Sequence, residues 1–310
     1  MSIGRLKPGH QRAVRRVRTH GFTVIELLIC VAIVGLLISL LSGGVQSARE
    51  AARRTQCMSH QRELGLGIQS HLSKLRYIPS NGGYDGKSTV ESPSGQQVTI
   101  GTFSRHFGLQ FWWGVGQPGA DPKTQTGSWA YAILPSIEQG QAYSRIKVES
   151  AGPLFRCPSR SRDDPMVPAD DDHGRYTAAG RVWAKTDYAG NERVMRERPD
   201  ALLPNAIIDG MSQTLATGEK AFDPLVQTAS SWYFDEPIFS GGSHGTVRKG
   251  LLILRDGPGI KFAGNWGSPH PGGAVFTRLD GSVEFLSASI DGFLFRSLLA
   301  PADSADPLLD

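Results

Sequence analysis

The chain has 310 residues, a formal charge of +4 at neutral pH and 39% hydrophobic residues, enough apolar material to exclude a disordered polypeptide and to fill one elaborated domain or one and a half. The positive balance is local: six Lys or Arg (Arg5, Lys7, Arg12, Arg15, Arg16, Arg18) precede Gly21 with no acid among them. The 33 basic residues less these six leave 27 against 29 acidic ones, so charge gives no reason to expect a nucleic-acid partner.

Phe22 opens a run of twenty residues, to Leu41, in which the one charged side chain is Glu26. At about 1.5 Å per residue this run makes a helix of roughly 30 Å, the thickness of a bilayer's hydrocarbon core. A carboxylate inside such a helix costs on the order of 3 kcal/mol, so Glu26 is expected to have a task. Cys30 reads as a small apolar residue of the span, and Ala32, Gly35, Ser39 and Gly43 would let such helices approach closely. Basic residues crowd the leader, whereas only Arg49, Arg53 and Arg54 follow the span closely, with Glu50 among them. That asymmetry places the N-terminus in the cytoplasm, the span in the inner (cytoplasmic) membrane and the rest outside, periplasmic or extracellular.

The order Gly21, Phe22, then Glu26 as the fifth residue counted from Phe22, resembles the class III signal of type IV pilins and type II secretion pseudopilins. The resemblance implies that a prepilin peptidase cuts between Gly21 and Phe22 and methylates the new amine. The apolar helix then survives as the anchor, unlike that of an ordinary signal peptide. It also implies that Glu26 pairs with the N-terminal amine of a neighbouring subunit and fixes axial register. The implied partners are the peptidase, like pseudopilin subunits, a secretion platform and inner-membrane lipid.

Beyond the span the helix is expected to continue to about Leu72, with Gly43-Gly44 as a soft point. Cys57, Leu64, Ile68 and Leu72 share one stripe of a 3.6-residue period and should lie on a sheet, with Glu50 and Arg54 paired on the opposite side. Pro79 and Asn81–Gly86 end the helical part. Residues 79–127 read as loops and short strands, and Gly127–Tyr143 as a helical patch interrupted by Pro135. Then come Pro153–Ser159, an acidic loop, Thr186–Val194, a turn–strand–turn over Ile207–Lys220, and strands around a Gly-rich loop in 231–262. Ala274–Leu279 and Ser282–Ser287 flank Asp280-Gly281, a hairpin signal, read with a two-residue primed turn that sets Phe276 opposite Phe285 and Arg278 opposite Val283. Asp291–Ala300 is a short closing helix. The expected organisation is leader 1–21, membrane helix 22–41, its extracytoplasmic continuation 42–72 and ectodomain 73–310. The fold class is α+β and pilin-like, a long N-terminal helix packed on an antiparallel sheet with extended loops.

His270 and Asp280 invite pairing, but six strand residues between them span about 20 Å, so Asp280 is read as turn former and the Pro269–Gly273 segment as shaping the strand's start. Cys57 and Cys157 would both lie in an oxidising space, either bridged or as two separate buried thiols. A bridge across that loop would add up to about 4.7 kcal/mol. No spacing of metal ligands is recognisable, so no metal and no cofactor are expected. The acidic residues Asp163, Asp164, Asp170, Asp171 and Asp172 read as a solvated loop rather than a calcium site. Gly114–Gly119 matches GxGxxG without a following helix, and Gly241–Gly245 matches GxSxG without the strand–helix context of a nucleophile. No catalytic constellation emerges, so the chain reads as no enzyme. Phe107, Phe111, Trp112, Trp113 and Trp129 are expected in the core rather than stacked on sugars.

His270, nine residues and then Asp280-Gly281, together with Leu134–Gln139, Phe155–Ser159, Asp187–Asn191 and Ile207–Lys220, resemble a bacterial family. Its members join a prepilin-type N-terminus to a large ectodomain of unknown function. The chain is therefore expected to be a pseudopilin-like subunit, with a membrane-anchored binding module for polysaccharide or solute as the alternative.

Overall fold

The structure, a computed structural model, describes residues 21–149 and 152–302. The basic leader residues Arg5 to Arg18 lie outside them. The chain separates into two compact units, one ending at Arg49 and one beginning at Glu50. Helix α1, Val24–Leu75, supplies residues to both and is helical through Gly43-Gly44, where a soft point was expected.

In the first unit the helix presents its apolar side chains outward. Ile25, Leu28, Ile33, Leu37 and Leu41 are all more than half exposed. The segment is long and apolar enough to cross a membrane, and none of its most apolar stretch is buried by protein. Such a surface is tolerable where the solvent is lipid.

The second unit is α+β. Its main sheet has the order β10-β7-β8-β13-β14, built from β7 (Tyr188–Asn191), β8 (Leu215–Glu219), β10 (Val247–Arg248), β13 (Gly273–Arg278) and β14 (Val283–Ser287). All neighbours run antiparallel except β10 and β7. A three-stranded sheet has β3 (Gly101–Ser104) between β4 (Leu109–Trp112) and β6 (Gly174–Thr177). Three two-stranded ribbons pair β1 (Val90–Glu91) with β2 (Gln97–Val98), β5 (Gly114–Val115) with β9 (Ser240–Gly241), and β11 (Ile253–Arg255) with β12 (Trp266–Ser268). The helical patch resolves into α2 (Trp129–Ile133), a 3-10 turn containing Pro135, and α3 (Gly140–Ser144). Pro135 cannot donate the next helical hydrogen bond, which explains the break.

The central strands are covered on both faces, so they do not show the polar alternation of a half-exposed sheet. On one face the residues of α1 beyond Glu50 bury Cys57, Gln61, Leu64, Ile68 and Leu72, as the stripe predicts, and Thr217 and Thr277 both donate to Gln61 Oε1 at 2.8 Å. On the other, α4 (Gly292–Leu299), capped by Asp291, packs Phe295, Leu298 and Leu299 with Leu215, Trp266, Ala274 and Phe276. Helix and sheet meet closely at Gly65: a Cβ there would lie 2.7 Å from Thr277 Cγ2 and 3.1 Å from Gly281 Cα.

Two expectations need correction. The hairpin pairs Val275 with Phe285, Phe276 with Glu284 and Thr277 with Val283, one residue from the expected register. The turn is a three-residue loop: Gly281 N–H donates to Arg278 C=O at 3.0 Å, and Arg278 N–H to Ser282 C=O at 2.9 Å. Only Gly281 takes a left-handed conformation, at φ +84°, so Asp280 need not, and the primed two-residue turn is not formed. The second correction is Glu50, which pairs with Arg53 rather than Arg54, and Arg54 lies over the Phe285 ring.

Candidate functional site

The anchor's chemistry sits in its first turn. Thr23 N–H and hydroxyl both donate to Glu26 Oε2 at 2.8 Å, and Glu26 N–H donates back to Thr23 Oγ1 at 3.3 Å. This reciprocal cap satisfies donors that lipid could not. Glu26 thus reaches back to the residue next to Phe22, beside the Gly21–Phe22 peptide bond expected to be cut.

A second constellation lies inside the other unit, and sequence spacing gave no warning of it. Cys57 comes from α1, Cys157 from the loop after the 3-10 turn Pro153–Phe155, Glu219 from the end of β8, and His270 from the segment joining β12 to β13. One ligand atom from each lies within 4.8 Å of every other. Cys57 Sγ is 3.2 Å from Glu219 Oε1, and His270 Nε2 is 3.6 Å from Cys157 Sγ and 3.5 Å from Glu219 Oε1. All four residues are at most 2% exposed. Both cysteines are free, buried thiols, the unbridged alternative, and their sulfurs share one cluster.

Local geometry holds each donor in place. Cys157 N–H donates to Asp187 Oδ2 at 2.8 Å, and Val275 N–H to Glu219 Oε2 at 2.9 Å. His270 N–H donates to Ser268 Oγ, which donates to Gly273 C=O, so the segment does shape the start of β13 while aiming the imidazole inward. His270 Nδ1 meets Glu50 Oε1 at 2.5 Å, and the same carboxylate accepts from Ser159 and Arg53.

The titration behaviour reflects this crowding. Burial pulls His270 down, but its hydrogen bond with Cys157 and the Glu219 and Glu50 carboxylates carry it to about 9. Burial pushes Glu219 well above the carboxylate range. The hydrogen bond between the two cysteines raises Cys57 and lowers Cys157, and His270 and Arg160 also favour the Cys157 thiolate.

Around the cluster runs a buried ionic belt. Arg160 binds Asp187 at 3.1 Å and Asp256 at 2.9 Å, and Arg162 binds Asp187 at 2.7 Å and also Asp235. Lys185 and Lys220 reach the same Asp235 carboxylate at 3.2 and 2.7 Å. Burial opposes ionisation of Asp235, but Arg162, Lys220 and Lys185 hold its carboxyl far below the usual range. Every string behind the second family resemblance, except Leu134–Gln139, sends a side chain into this cluster or its belt. A signal was present: charged residues inside otherwise apolar strand-like strings, such as Glu219-Lys220.

Other predicted residues lie apart. Asp280 is exposed at the far end of β13 from His270, its Oδ1 accepting from Ser282 N–H and hydroxyl, and Gly281 supplies the turn. Asp171 caps His173 and Gly174 N–H, while Asp163 and Asp164 point outward. Ser243 is buried and donates to Glu236 at 2.9 Å, with strand β10 rather than a helix following. Trp113 and Trp129 are buried, whereas Phe107 and Trp112 are exposed. Phe107 and Phe111 line an open cleft of about 410 Å³ with Phe234, Glu192, His244 and Lys249, so the aromatic group is only partly core.

Two family models match the chain. One, described as protein of unknown function (DUF1559), covers residues 46–292. The other, the prokaryotic N-terminal methylation motif, covers residues 16–42. No curated protein and no solved structure matches.

Proposed function

This chain belongs to the DUF1559 family of proteins of unknown function, and we propose that it is a pseudopilin-like subunit of a type II secretion or type IV pilus-related assembly. The observation that carries the proposal is the apolar, protein-free span from Phe22 to Leu41, whose one carboxylate folds back beside the Gly21–Phe22 junction inside a matched methylation motif.

In this reading a prepilin peptidase cuts after Gly21 and methylates Phe22. The basic leader stays in the cytoplasm and the ectodomain faces the periplasm or cell exterior. The protein acts by assembly, not by breaking bonds. Glu26 exchanges its cap for the amine of a neighbouring subunit, a contact that is strong where lipid excludes water. Site-specific photocrosslinking in membranes containing the peptidase tests this. Wild-type chains give adducts between like subunits. Glu26→Ala is expected to lose them at equal protein level, and an unchanged adduct pattern removes the assembly role.

The cleft supports a second reading, an anchored module that binds polysaccharide or solute. Aromatic faces beside Glu192, His244 and Lys249 suit a sugar's apolar face and hydroxyls. Calorimetric titration of the full chain with oligosaccharides is expected to show saturable heat that Phe111→Ala abolishes. Heat that survives the substitution would place binding elsewhere.

A further inference from the structure

We propose that Cys57, Cys157, Glu219 and His270 form a closed, tetrahedral zinc(II) site that fastens the post-membrane part of α1 to the central strands of the sheet. The argument begins with distances. Zinc bonds of about 2.3 Å to sulfur and about 2.0 Å to nitrogen or oxygen require ligand–ligand edges of roughly 3.3–3.8 Å. The edges of 3.5 and 3.6 Å fall in this range, the Cys57–Glu219 edge of 3.2 Å lies just below it, and no pair exceeds 4.8 Å. Two sulfurs, one imidazole nitrogen and one carboxylate oxygen are a donor set that zinc accepts.

The histidine is prepared for metal. Its Nδ1 is engaged by the Glu50 carboxylate at 2.5 Å, so Nε2 is the ring nitrogen that faces the other three donors and would release its proton on binding the ion. A carboxylate that orients a ligating histidine through the other ring nitrogen is a recurring feature of zinc centres. Here Glu50 is itself held by Ser159 and Arg53, so the orientation is fixed before any ion arrives.

Charge points the same way. Two thiolates and one carboxylate around a divalent cation leave one negative charge. The belt beside the site carries four cations, Arg160, Arg162, Lys185 and Lys220, against the three carboxylates Asp187, Asp235 and Asp256. Arg160, the belt member paired with Asp187 and Asp256, also favours the Cys157 thiolate and so links the belt to the site.

All four donors are buried and supply four ligands with no position open to substrate, which makes the site structural rather than catalytic. The donors come from four separate segments, so one ion would cross-link α1, the Cys157 loop, β8 and the start of β13. A disulfide between Cys57 and Cys157 is the rival outcome in an oxidising compartment, and the two are mutually exclusive.

The test uses the full-length protein, extracted in detergent and purified without chelator, reductant or a histidine tag. Elemental analysis is expected to find about one zinc per chain, with both cysteines alkylated only after unfolding in chelator. Cobalt(II) exchanged into the wild-type protein is expected to show a thiolate-to-metal charge-transfer band and the intense visible bands of a tetrahedral site. Cys157→Ser and His270→Gln are expected to lower zinc content several-fold. Should either fail to fold, the cobalt spectrum of the wild type decides. A Cys57–Cys157 disulfide in non-reducing peptide maps, a zinc-free chain, or cobalt binding without the thiolate band overturns the proposal. None of these outcomes touches N-terminal processing.

Discussion

The two units break the usual rule of apolar inside and polar outside in opposite ways. Before Glu50, isoleucines and leucines are exposed and Glu26 completes a cap within its own turn. After it, Asp187, Asp235, Glu219, Arg160, Lys185 and Lys220 are all buried within one folded body. The first departure is resolved by changing the solvent to lipid, the second by ion pairs such as those of Asp187 and Asp235 with their cations. A charge therefore carries different weight in each unit: near the N-terminus we propose that it serves an encounter with a neighbouring subunit, and inside the second unit it holds the fold.

The largest effect that would break this contrast is at Asp235, which faces three cations. Asp235→Ala should cost about 3–5 kcal/mol by stranding those cations. Glu26→Ala should leave ectodomain stability unchanged. Denaturant unfolding followed by tryptophan fluorescence measures both, and equal effects would erase the distinction.

Acid sharpens the same point. The folded-state pKa of Asp235 is depressed, so its stabilising contribution is complete above the unfolded carboxylate value of about 4 and is lost as pH falls below that toward the folded value. Unfolding free energy measured against pH should decline in that window for wild type, and Asp235→Asn should flatten the decline. A variant with the wild-type slope would move the acid sensitivity to other groups.

Glycines offer a smaller contrast. A Cβ at Gly35 meets nothing within 4 Å, whereas one at Gly65 meets Thr277 and the Gly281 backbone. Gly65→Ala should destabilise the ectodomain by about 1–3 kcal/mol through overpacking, and Gly35→Ala should not affect it, as thermal melts would show. The smallest effect is expected at Asp280, whose side chain only braces an exposed turn through Ser282. Asp280→Ala should cost at most about 1 kcal/mol in the same melts.

What the sequence disclosed follows from how local each signal is. The anchor is a property of composition over one segment, and the Cys57–Leu72 stripe, the strands flanking Asp280-Gly281 and the Asp291-capped helix depend on short periods or single caps. The hairpin register slipped by one because Asp-Gly serves a two-residue turn and a three-residue loop ending in a left-handed glycine equally well. Helical spacing points Glu50 to Arg54, since nothing in its sequence neighbourhood announces His270. Charged residues such as Glu219-Lys220 hint at buried polar chemistry, but the grouping of Cys57, Cys157, Glu219 and His270 is not legible because its members stand in four segments between residues 57 and 270. Their burial could not be read from alternation, as β8 and β13 are covered on both faces.

The most direct measurement is the N-terminal residue of the protein extracted from membranes, read by mass spectrometry of its first peptide. The account predicts a chain beginning at N-methylated Phe22. A chain that still begins at Met1, or that is recovered from the soluble fraction, contradicts it.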